Sequence, residues 1–185
     1  MKKAILVLFL FVSIVSVKAQ EKESQETILK QNELKINMSN LIGFKWADFT
    51  YERILNEESS LGIGALFTLD ANNDDGLEEY RTFSITPYYR HFFSRKYAEG
   101  FFVEAFGMLH SGEDEIYSFD SIADPNGTYR DEKYTDFAVG ISVGGKFVTK
   151  RGFIAEVYAG IGRDLLGQSE IEVVGRGGVS IGFRF

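Results

Sequence analysis

Through nearly all of residues 34–185 apolar side chains recur at every second position, and no stretch there sustains an apolar stripe at helical spacing. Period two belongs to strands whose two faces meet different surroundings. In SLGIGALFTLD, Leu61, Ile63, Ala65, Phe67 and Leu69 alternate with Gly62, Gly64, Leu66 and Thr68. Further on, Phe137, Val139, Ile141, Val143 and Phe147 share one face. The chain is therefore expected to be all-β, with very little helix.

Eight strands are predicted, over 34–42, 47–55, 60–70, 80–93, 101–110, 134–148, 153–162 and 173–185. Each is near the roughly ten residues that a tilted strand needs to cross a membrane. NEES (56–59), SRKYAEG (94–100) and TKRG (149–152) are short connections. They alternate with longer ones at 71–79, 110–133 and 163–172, and only the first, near GFKW (43–46), is short where a long one is due. Short turns at one end and long acidic loops at the other describe an antiparallel up-and-down barrel, the plan of bacterial outer-membrane barrels. GFFVEAFG (100–107) and GFIAEVYAG (152–160) echo one another, which sets Glu104 and Glu156 at equal depth on one face.

Alternation alone does not say which face is inside. Ala138, Gly140, Ser142, Gly144 and Lys146 form one polar face, and Arg176, Gly178, Ser180, Gly182 and Arg184 another. A wetted sheet surface disfavours glycine, whereas a narrow lumen filled by side chains needs small residues between large ones. The polar face is thus expected inside, with Glu52, Arg90, Glu104, Lys146, Glu156, Arg176 and Arg184 forming a lumen network of both signs. Eight strands leave no open pore, so these charges read as a structural plug rather than a substrate channel. Tyr51, Tyr89, Phe93, Phe101, Phe147, Phe153 and Phe185 fall toward the short-turn end, and Trp46, Tyr80 and Tyr134 toward the long-loop end, as two aromatic girdles.

The opening MKKAILVLFLFVSIVSVKAQ has two lysines, an apolar run too short to span comfortably, and small residues near Ala19. That is the layout of a signal peptide over 1–19, followed by a polar leader over 20–33 and the barrel over 34–185. Residues 1–19 hold three of the 20 basic residues and none of the 27 acidic ones, so the remainder carries a net charge of −10. Such a balance argues against nucleic acid as a partner. With no cysteine, and with His91 and His110 as the only histidines, zinc and thiol chemistry are nearly excluded and no cofactor is implied.

Val179, Ile181, Phe183 and Phe185 share a face of the last predicted strand. They resemble the C-terminal signature of outer-membrane β-barrel proteins, and the layout is similar to the small OmpA/OmpX-type barrels. LKINMSNLIG, FTYERIL, YYRHFF and IGFRF further resemble a family of Gram-negative barrels of unknown function, over about residues 34–185. The resemblance implies the outer membrane as location, its lipid and the barrel-assembly machinery as partners, and no catalytic residue.

Some barrels of this size modify lipid A with a His/Ser/acid set, for which His110, Ser111 and Glu113 are the comparable cluster. Neighbours on a strand point to opposite faces, so His110 and Ser111 would not readily meet. DANNDDG (70–76) resembles a calcium loop, but Asp75 stands where that loop needs glycine and Arg81 where it needs an acid. Weak divalent-ion binding by Asp120, Asp124 and the other loop acids is left open. The expected role is non-enzymatic, structural or in surface interaction through the outer loops. The alternatives are a lipid-modifying enzyme and a secreted, lipocalin-like ligand-binding barrel.

Overall fold

The computed structural model describes residues 30–69, 81–118, 128–167 and 172–185. They form a closed barrel of eight antiparallel strands in sequence order. The strands are β1 (Asn32–Asn37), β2 (Trp46–Asn56), β3 (Ser59–Thr68), β4 (Phe83–Phe92), β5 (Gly100–Ser118), β6 (Thr128–Val148), β7 (Phe153–Asp164) and β8 (Val173–Arg184). Closure joins β1 to β8, from Glu33↔Arg184 to Asn37↔Ser180. The backbones of Asn32 and Phe185 extend that seam by exchanging hydrogen bonds of 3.0 and 2.8 Å.

Two expectations about strand length are corrected. The first strand was expected to run over 34–42, but it starts at Asn32 and stops at Asn37, where a six-residue helix, α1 (Met38–Gly43), begins. The Asn37 side chain accepts a hydrogen bond from the Asn40 backbone N–H at 3.2 Å, the capping that favours asparagine at a helix start. After α1 the chain turns into β2 through Lys45, whose φ of 52° lies in the left-handed region.

The second correction concerns the expected loop 110–133. β5 and β6 stay paired beyond the barrel wall, from Ser111↔Thr135 to Ser118↔Thr128. Acidic residues hide the alternation there, but Ile116, Tyr117, Tyr129 and Thr135 all favour strand.

The two faces differ as their side chains require. Outward positions carry Ile63, Tyr89, Phe101, Ile141, Val157, Ile161 and Phe183, all exposed. Inward positions carry the buried charges and a stack of aromatic rings. Glycine makes room for those rings: a Cβ on Gly144 would lie 2.6 Å from Phe102 Cζ, and one on Gly62 2.2 Å from Tyr88 Cζ. At the short-turn end Ile54, Phe92, Phe102 and Ala98 pack into one apolar cluster with Tyr97 against it. Ala98 reaches it because residues 94–99 fold across the barrel mouth, its N–H donating to the Glu57 carbonyl at 2.8 Å.

The girdle expectation is half corrected. Tyr51, Tyr89, Phe93, Phe101, Phe147, Phe153 and Phe185 are exposed at the short-turn end. Trp46 and Tyr134, expected in the opposite girdle, sit at inward positions of β2 and β6, and Tyr134 is buried. Parity is the reason: Trp46 shares its face with Asp48, Thr50 and Glu52. Phe49, Phe67, Phe83 and Phe137 occupy the outward positions there instead. Tyr80 lies outside the described residues.

Candidate functional site

The interior is divided by depth into a filled half near the short turns and an emptier half near the long loops. Arg90 of β4 organises the first. Its Nη1 donates to Glu52 at 3.0 Å and to Glu156 at 2.8 Å. Its Nη2 donates to Glu104 at 2.7 Å and to the other oxygen of Glu156 at 3.0 Å. The guanidinium also lies over the Phe102 ring, 3.8 Å from its centre, adding a cation–π contact away from water.

Two lysines continue the network. Lys35 Nζ donates to Glu52 at 2.6 Å and to Glu156 at 2.8 Å. Lys146 Nζ donates to Glu52 at 2.6 Å and to Glu33 at 2.8 Å. Arg184 closes the lower edge, with Nε on Glu33 at 2.8 Å and Nη2 on the Ala98 carbonyl at 2.8 Å. Arg176 closes the upper edge by binding Glu104. Hydroxyls fill carboxylate lone pairs: Tyr88 and Ser60 donate to Glu52 at 2.9 and 2.7 Å, and Ser142 donates to Glu104 at 2.8 Å.

All seven charges expected in the lumen, Glu52, Arg90, Glu104, Lys146, Glu156, Arg176 and Arg184, therefore lie in one continuous set of ion pairs. Sequence reasoning missed Glu33, because the first strand was begun at Leu34, and Lys35, which lies within that strand but was not assigned to the inward face. The signal was present: Glu33, Lys35 and Asn37 alternate with Leu34 and Ile36. The nine groups comprise four carboxylates and five cations. A set so interlocked resists the removal of any member, since each lost partner weakens the compensation of a buried charge.

Above Arg176 the interior opens into a cavity of about 260 Å³. Its polar lining includes Asn40, Trp46, Asp48, Arg81, Ser84, Thr86 and Arg176, and its apolar lining Phe44, Leu66 and Met108. Asp48 is occupied by the side-chain amides of Asn40 and Asn37, at 2.7 and 3.1 Å. Arg81 lines the cavity, its Nη2 donating to the Gly175 carbonyl at 3.2 Å. Burial pushes its guanidinium below the usual arginine range, yet arginine keeps its charge at ordinary pH. Trp46 Nε1, Arg81 Nε and His110 Nδ1 are buried among the described residues without a hydrogen-bond partner. All three are in this half.

His110 faces inward, 2% exposed, with Nε2 2.8 Å from Asp164 and its ring against Tyr134. Ser111 lies on the other face of β5, and Glu113 pairs instead with Lys133 at 3.4 Å. His110, Ser111 and Glu113 are thus not brought together. His91 occupies an outward position of β4, its ring 4.7 Å from that of Phe93. No group of three or more metal-ligating side chains is assembled among the described residues. Residues 70–76, Asp120 and Asp124 lie outside them.

No protein-family model and no curated protein matches the chain. Among solved structures, it is similar to the N-terminal β-barrel domain of Pseudomonas aeruginosa OprF, with a TM-score of 0.49 and 13% identity. That match covers 84% of this chain and 98% of the OprF domain.

Proposed function

We propose that the chain is a non-enzymatic barrel of a bacterial outer membrane, structural or engaged in surface interactions through its long-loop end. The observation that carries this reading is the inversion of polarity. Ile141 and Ile161 are 61% exposed on the wall, while Arg90, Lys146 and Glu52 are at most 1% exposed inside. In water, a wall-wide apolar belt far exceeds the patches that soluble monomers tolerate. In hydrocarbon the belt is favourable, and closure pairs the two edge strands β1 and β8 from Glu33↔Arg184 to Asn37↔Ser180.

The same inversion speaks against a lipocalin-like barrel, which keeps its apolar face for the ligand inside. His110 speaks against a lipid-modifying enzyme, because it is buried in the interior rather than set against the lipid-facing wall. In this reading the short turns face the periplasm and the β5–β6 ribbon stands outside. Val179, Ile181, Phe183 and Phe185 then serve as the signal taken by the barrel-assembly machinery. Glu52, Arg90, Glu104, Lys146, Glu156, Arg176 and Arg184 serve as the plug.

Membrane fractionation tests the location: a folded, heat-modifiable species is expected in the outer membrane, and recovery as soluble periplasmic protein overturns it. Deleting Phe185 is expected to lower the amount of that folded species severalfold, whereas unchanged levels would refute the assembly signal. Planar-bilayer recordings test the plug, which predicts no large steady current from the purified protein.

A further inference from the structure

We infer that the long-loop half of the interior is a binding site for a small oxyanion-bearing solute of the phosphate or carboxylate class. The inference concerns the cavity and goes beyond the role proposed for the loops. Three observations converge on it.

The first is room. The cavity holds about 260 Å³, more than a bare phosphate or acetate fills, with Leu66 and Met108 offering apolar wall to an organic part.

The second is unmet donor capacity. Trp46 Nε1–H and Arg81 Nε–H are buried without acceptors, and both residues line the cavity. Arg81 is only 8% exposed. A buried donor without an acceptor is costly, and two of them on residues that line one space fit a ligand that brings acceptors. Indole N–H and guanidinium N–H donate only, so what fits is an oxygen with lone pairs.

The third is charge. The cavity is lined by two guanidinium groups, Arg81 and Arg176, against the single carboxylate of Asp48. The two asparagine amides both donate to Oδ2 of that carboxylate, and Arg176 already binds Glu104, so Arg81 is the guanidinium with donor capacity to spare. An anion beside Arg81 is therefore favoured. The cavity is enclosed by the strands, which separate it from lipid headgroups around the wall, so the solute enters from the aqueous side.

The chain has a single tryptophan, so the indole N–H gives one nitrogen-15 correlation signal that belongs to Trp46. The purified full-length mature protein in uncharged detergent is titrated with inorganic phosphate and, separately, with acetate. Sodium chloride at matched ionic strength is the control. A saturable shift of the indole signal is expected with at least one of the two oxyanions and not with chloride. Arg81→Met is expected to weaken it by roughly tenfold or more, the loss of one charge-assisted hydrogen bond. Lys96→Ala, at the exposed short-turn end, is expected to leave it unchanged. Calorimetry on Trp46→Phe, which keeps the ring but loses the N–H, is expected to show weaker binding. Heat-modifiability establishes that each variant is folded. No saturable shift in the wild type with either anion, an equal shift with chloride, or undiminished affinity in folded Arg81→Met overturns the inference. A shift that appears only when phospholipid is added in phosphate-free buffer overturns the assignment to a solute.

Discussion

Arg90 and Arg81 both project a guanidinium into the barrel, and both are buried, at 1% and 8% exposure. Arg90 meets three carboxylates and two aromatic rings. Arg81 holds one backbone carbonyl and leaves its Nε without an acceptor. The same side chain thus completes one half of the interior and leaves the other incomplete. Burial alone does not decide what a charged group contributes; the number of partners assembled around it does.

The sharpest way to break this contrast is to remove each guanidinium in turn. Arg90→Met takes one cation from each of Glu52, Glu104 and Glu156, and is expected to cost about 3–5 kcal/mol of unfolding stability. Arg81→Met removes a poorly satisfied charge, and should stay within about 1 kcal/mol of the parent, since apolar replacement of such groups is often neutral. Urea unfolding of the folded barrel in lipid vesicles measures both, and equal losses would erase the distinction.

A second test asks whether the wall outside both halves belongs to lipid. Ile141→Arg places a charge on the outward face of the part of β6 that pairs with β7, with an expected cost of about 2–4 kcal/mol at mid-membrane depth. Insertion and stability equal to wild type would instead favour a water-facing wall.

The mildest test makes one substitution at two depths. A Cβ on Gly144 would lie 2.5 Å from the Val157 carbonyl and 2.6 Å from Phe102. Gly144→Ala should therefore cost about 1–3 kcal/mol through overpacking. A Cβ on Gly64, at the cavity, meets nothing nearer than 3.7 Å. Gly64→Ala is expected to be neutral or to stabilise by roughly 0.5 kcal/mol, because the freer glycine backbone has more entropy to lose. Comparable losses at both positions would mean that the outer half is as tightly filled as the inner.

Strand number, neighbour order and the face of each charge were legible in the chain because each follows from parity and connection length. The seven charges read as inward do lie inside for that reason. Partner choice was not legible. Lys146 sits opposite Glu156 in register, yet its ammonium reaches Glu33 and Glu52. Side-chain length and direction across a closed lumen decide this, and neither is encoded in spacing along one strand. Asn37 hid the end of β1 for a different reason: its side chain gives the backbone a local alternative to the ladder. The cavity was invisible because Trp46 reads as an interface aromatic until its parity with Asp48 is noticed.

The seam between β1 and β8 also has a meaning in time. Glu33 and Arg184 are 151 residues apart, whereas Ser60 and Glu52, across one hairpin, are eight apart. Loop-closure entropy rises by about 0.6 kcal/mol per doubling of length, so the seam contact costs roughly 2.5 kcal/mol more to bring together than the hairpin contact. Hairpins are therefore expected to zip first, with the seam closing last. Glu33→Gln should then speed unfolding and leave the folding rate nearly untouched, as befits an interaction absent from the transition state. Stopped-flow kinetics in vesicles would read both limbs, and a slowed folding limb would place the seam early instead. Until it closes, Glu33 and Arg184 face no counter-ion across the gap, and the nascent sheet has two unsatisfied edges that hold the chain open to its environment.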